Sequence, residues 1–113
     1  MLNRVALIVR PAKPFLEWAA NLDDSGVLPD PDDEQTVYLI PSFETDQEQE
    51  RVLRTIYAEV FENELHGWHT VESAWPRNRT LAMFRRWFKI EIHTVVEDLC
   101  AYPIEDDEPY GDA

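Results

Sequence analysis

Apolar positions change their spacing several times along the chain, and each change marks an element. Arg4 to Val9 opens with a continuous apolar run, as expected for a strand covered on both faces or nearly so. Pro11 and Pro14 end it, and Pro14 suits the first turn of a helix, where its missing N–H costs nothing. Phe15, Trp18, Ala19 and Leu22 then fall at the i, i+3, i+4, i+7 spacing of one helical face. Asp23 to Gln35 carries six acids, no base, one glycine and two prolines, which predicts a solvated loop.

Thr36 to Ile40 is β-branched and aromatic and stops at Pro41, so it reads as the second strand. Thr45-Asp46-Gln47-Glu48 is a capping box, with Asp46, Glu48 and Glu50 at the positive end of the helix dipole. Leu53, Ile56, Tyr57, Val60, Phe61 and Leu65 carry the helical stripe onward, and Gly67 is placed to stop it. Such a helix is roughly 30 Å long. Trp75-Pro76 excludes a continuous helix through the next segment. Asn78 or Thr80 can cap a further helix with Leu81, Phe84 and Phe88 on its inner face. Lys89 to Leu99 admits two readings. Phe88, Ile92, Val95 and Leu99 would continue the helix, but β-branched residues at period two from Ile90 to Val96 favour a strand.

The order β-α-β-α-(α)-β predicts an α/β (α+β) fold. It is a single small domain over residues 1–102, a three-stranded sheet with two to three helices packed mainly on one face. A parallel pairing of the first two strands would demand a right-handed crossover. Pro103 to Ala113 holds five acids and two prolines, as expected of a disordered acidic tail.

Composition narrows the function. At 113 residues and 44% hydrophobic, the chain can build one core. Its one cysteine, Cys100, rules out an internal disulfide and fits a reducing compartment. Cys100 lacks a basic neighbour and reads as a small buried hydrophobe. The apolar run near the N-terminus is too short for a signal peptide, and no stretch is long enough for a membrane helix, so a cytoplasmic protein is expected. A formal charge of −13 opposes direct binding to nucleic acid or anionic lipid.

That charge is unevenly spread. Between Ser73 and Ile90 there is no acid, while Arg77, Arg79, Arg85, Arg86 and Lys89 supply half of all bases. This window carries +5, and the other five bases face all 23 acids, leaving −18 elsewhere. Aromatics crowd the same region, from Phe61 through Trp68, Trp75 and Phe84 to Trp87 and Phe88. Three tryptophans are more than so small a core readily buries, which makes some of them interface candidates. Trp68, Trp75, Arg77, Arg79, Met83, Arg86, Trp87 and Lys89 therefore form the candidate interaction set. The partner would be another protein or a second copy in a homodimer. The plainer alternative is that these arginines pair with the protein's own acids and lay their stems on aromatic rings.

Other chemistry is thinner. Asp30-Pro31-Asp32-Asp33-Glu34 lacks the spacing and central glycine of a calcium loop. The acidic loop, long helix and tail permit mimicry of a nucleic-acid backbone toward a DNA-binding partner. Glu62, His66 and His69, with His93 from elsewhere, would make a metal site only if the fold converged them and left one position open for water. No serine lies in a nucleophile elbow, and the three glycines are too far apart for a phosphate loop. No cofactor is expected, and a non-enzymatic interaction or regulatory module is the leading reading.

The runs Thr36-Val37-Tyr38-Leu39-Ile40-Pro41 and Trp75-Pro76-Arg77-Asn78-Arg79-Thr80-Leu81 resemble those of small acidic bacterial proteins of unknown function. The resemblance implies no activity and no residue role.

Overall fold

Strand β1 (Arg4–Pro11) is the centre of a three-stranded sheet, because its continuous apolar run can be covered on both edges and on one face. β2 (Thr36–Pro41) and β3 (Phe88–His93) flank it in the order β2-β1-β3. Both pairings are antiparallel. The first two strands therefore form no crossover unit, and the right-handed rule for parallel strands does not apply. The computed structural model describes residues 1–23, 25–30 and 35–106.

Register divides the sheet into two unlike faces. Val5, Leu7 and Val9 are opposed by Ile40, Tyr38 and Thr36 on one side, and Leu7 and Val9 by Ile92 and Ile90 on the other. That face meets the helices. Ala6, Ile8 and Arg10 stand on the other face with Leu39 and Val37 from β2 and His93, Glu91 and Lys89 from β3. Among the described residues no helix covers this second face, and Val37 and Leu39 are 58% and 48% exposed.

Helix α1 (Lys13–Ala20) has Pro14 in its first turn and buries Phe15 and Ala19. Helix α2 (Asp46–Trp68) runs 23 residues and buries Leu53, Val60, Phe61 and Leu65. Thr45 caps it by accepting from the Glu48 N–H at 3.1 Å. The reciprocal arm of the capping box slips by one residue, since the Glu48 carboxylate accepts from the Glu44 N–H at 3.2 Å. Gly67 does not stop the helix. The stop falls at His69, whose backbone turns extended while its N–H bonds back to the Leu65 carbonyl. A short 3₁₀ turn (Glu72–Ala74) leads to helix α3 (Leu81–Trp87), where the Thr80 hydroxyl accepts from the Met83 N–H.

Phe88 is buried as expected, but as the first residue of β3, not as the last of a helix. The ambiguous segment is thus strand only as far as His93. The strand-forming residues beyond it, Thr94 to Val96, find no second strand to pair with among the described residues. One bond, from the Leu2 N–H to the Val96 carbonyl, ties this stretch to the N-terminus. Residues 103–106 of the tail are exposed and without regular structure, and residues 107–113 lie outside the described residues.

The core is one cluster. Val5, Leu7, Val9 and Ile40 from the sheet meet Phe15, Val60, Phe61, Leu65, Trp75, Phe84 and Phe88. Phe61 is its hub, with ring centroids 5.2 Å from Phe88, 5.7 Å from Trp87 and 6.1 Å from Phe84. These edge-on and tilted geometries are the favourable ones for aromatic pairs.

Candidate functional site

The aromatic half of the candidate interaction set is turned largely inward. Trp75 is 9% exposed, and its indole N–H donates to the His69 carbonyl at 2.7 Å. Trp87 is half-buried, within 6.3 Å of Phe15, 6.2 Å of Trp18 and 5.7 Å of Phe61 between ring centroids. Trp68 and Met83 are also half-buried against the core. Of the three tryptophans, Trp75 is buried, while Trp68 and Trp87 keep part of their surface open to solvent. The sheet is short, so the aromatics of α1, α2 and α3 close the core by packing on one another.

Two of the five arginines and lysines in the basic window are likewise committed within the molecule. Arg79 bonds the Pro76 carbonyl at 2.8 Å and the Glu62 carboxylate at 2.9 Å. Its guanidinium also stands 5.9 Å from the ring centroids of both Phe61 and Trp75. This is the plainer alternative realised: an arginine paired with an internal acid and stacked on aromatics. Arg85 reaches Glu50 on α2, which also receives Arg54 one turn along that helix.

The remaining cations sort by place. Arg77 is exposed in the turn before α3. Arg86, at the end of α3, and Lys89, on β3, are exposed and have no acidic partner among the described residues. The Ala12 N–H donates to the Trp87 carbonyl at 2.8 Å, so the start of α1 is stitched to the end of α3. That bond brings Lys13, also exposed and without an acidic partner among the described residues, to the same corner as Arg86. Register places Arg10 directly across from Lys89. Arg10 is itself committed to Glu91 at 2.9 Å, and its buried Nε makes no hydrogen bond. Lys13, Arg86 and Lys89 thus come from three elements whose backbones are joined at one corner by the Ala12–Trp87 bond and the pairing of Arg10 with Lys89. Lys13 was not legible as a member from sequence. Only the antiparallel β1–β3 pairing carries it from one end of the chain to the other.

The histidines do not converge. The His66 ring lies edge-on to Trp75 and the His69 ring edge-on to Trp18. His93 is on the uncovered sheet face, 3.3 Å from the Glu91 carboxylate. Among the described residues no three His, Cys, Asp or Glu side chains are grouped so as to hold a metal ion. The acidic loop bears on calcium and on mimicry of nucleic acid, but its residues 31–34 lie outside the described residues. Cys100 is exposed, contrary to its expected burial, because the chain after β3 runs over the surface. Among the described residues no helix is long and apolar enough to cross a membrane.

A polar knot that sequence reasoning missed lies where β2 meets α2. The Tyr38 hydroxyl donates to the Glu64 carboxylate at 2.6 Å and accepts from the Asn63 amide at 2.8 Å. Burial pushes the Tyr38 phenol well above its ordinary range, with the Glu64 charge adding to the effect. Burial also raises the Glu64 carboxyl, against the hydrogen bonds from Tyr38 and Thr36. Asp23 moves the other way, held down by hydrogen bonds from Ser25. A tyrosine donating into a carboxylate fixes the β2–α2 junction.

Comparison with known proteins adds no assignment: no family model, no curated protein and no solved structure matches the chain, and the resemblance of its two short runs gives no residue a role.

Proposed function

We propose that this protein is a non-enzymatic interaction module, regulatory in character, that takes an acidic segment of a partner protein at the corner formed by Lys13, Arg86 and Lys89. One observation carries the reading. In a chain of formal charge −13, three cations from three separate elements are gathered at one exposed corner and left without acidic partners among the described residues. Arg10, Arg54, Arg79 and Arg85 each pair with an acid of the same chain, and among the described residues these three do not. A group of cations left open favours an acidic ligand. The surrounding negative field restricts that ligand to a short acidic stretch, since a long polyanion is repelled by the rest of the surface. Trp87 then supports the corner from beneath, while Arg79 and Trp75, committed to Glu62 and His69 on the side of β2, make no contact with the partner.

The test compares the native protein with Arg86→Glu/Lys89→Glu as baits in lysate at low and moderate salt, followed by direct binding with each purified retained protein. Both substituted side chains are exposed, so circular dichroism should be unchanged. The reading expects at least one acidic protein that binds the native chain directly and loses it with the double variant. A set of direct binders indifferent to the double variant contradicts it.

A further inference from the structure

The far edge of the sheet offers a second surface, independent of the basic corner. β2 is an edge strand, Thr-Val-Tyr-Leu-Ile-Pro from Thr36 to Pro41, with no charged side chain. Among the described residues its backbone makes no bond outside the ladder with β1. Natural edge strands are ordinarily protected by a charge, a bulge or an overlying segment, because bare N–H and C=O groups invite another strand. Among the described residues the protection within β2 itself is Pro41 at its end, and Asp106 of the C-terminal segment reaches the groove beside it. A groove of about 910 Å³ runs along this edge, between β2 and α2, and Val37 through Ile40 all line it. Ile56 and Val60 give it an apolar floor. Glu59, Glu62, Glu72 and Asp106 also line it, and Glu62 is paired with Arg79.

We infer that β2 accepts an extended basic segment of another protein as a fourth strand, with alternate apolar side chains on the groove floor and lysines or arginines beside Glu59 and Glu72. Strand addition supplies affinity through main-chain bonds, and the walls of the groove supply selectivity. The acidic walls decide between occupants. A second copy pairing β2 with β2 would press two such grooves together, each on a chain of formal charge −13. A basic strand relieves the same field.

The probe is a capped peptide of β2's length that alternates lysine and valine, with a glutamate–valine counterpart and a backbone N-methylated lysine–valine version as controls. The native protein should bind the basic peptide, leave the glutamate peptide unbound, and gain amide-exchange protection across Thr36 to Ile40. N-methylation keeps the charge but removes strand donors, so it should abolish binding. Glu59→Lys/Glu72→Lys alters two exposed side chains outside the core and should weaken the basic peptide about tenfold. Undiminished binding of the N-methylated peptide would reduce the interaction to charge alone and overturn strand addition. An unaffected double variant, unprotected β2 amides, or self-pairing through β2 in place of peptide binding would each overturn the inference as well.

Discussion

Replacing Arg79 by methionine separates a supporting arginine from a binding one. The side chain is 22% exposed and makes a charged hydrogen bond to the Pro76 carbonyl, an ion pair with Glu62, and contacts over Phe61 and Trp75. A hydrogen bond involving a charged group contributes about 1.5 kcal/mol or somewhat more. The ion pair is worth less, roughly 0.5 kcal/mol, because Glu62 is more than half exposed. The two ring contacts add about 0.5–1 kcal/mol each. Methionine restores part of the packing on the rings, and these contributions overlap. A net loss of about 2 kcal/mol is therefore expected. With a urea dependence of about 1–2 kcal/mol per molar for a domain this size, the unfolding midpoint should fall by roughly 1–2 M. Urea denaturation followed by tryptophan fluorescence reads it directly. Binding of an acidic partner, measured well below the new midpoint, should be unchanged. A variant with native stability but lost binding would refute this reasoning and return Arg79 to the interaction surface.

Three further outcomes follow from the same geometry. Phe61→Ala removes a fully buried ring from the hub of the core and should cost about 3–5 kcal/mol, enough to unfold much of the population near body temperature. Glu64 has a folded-state pKa above its ordinary value, so the native state binds the extra proton and stability falls as pH rises from the ordinary carboxyl range through the raised one. Glu64→Gln should flatten that slope, which denaturation midpoints across acid to neutral pH would show; an equal slope in both proteins would contradict it. Cys100 should react with a thiol reagent at full stoichiometry in the absence of denaturant, and protection until unfolding would contradict its exposure.

Much of the fold was legible because its signals are local. Thr45 and Glu48 marked the start of α2, Asn78 or Thr80 that of α3, with Thr80 the cap found, and the composition of Thr36 to Ile40 marked β2. The errors arose where a local signal met a tertiary alternative. Gly67 suits a helix end, yet Trp68 extends α2 by packing on the core, and the stop passes to His69. Phe88 fits the helical stripe and the strand equally well, and pairing opposite Pro11 decided for the strand. The segment after His93 has strand-forming residues, but strand formation requires a neighbour. The candidate site was half legible. Charge segregation pointed to the basic window, while which cations stay open depends on Glu50 and Glu62 reaching Arg85 and Arg79 from α2. The recruitment of Lys13, and the bare edge of β2, depend on strand order, which no local pattern in the chain encodes.

The basic corner is tested most directly by amide-shift NMR during titration with a glutamate-rich peptide. The account predicts saturable shifts at Lys13, Arg86 and Lys89 and at the Ala12 amide that joins their elements. Shifts absent from that corner, or centred instead on Arg77 and Arg79, would contradict it.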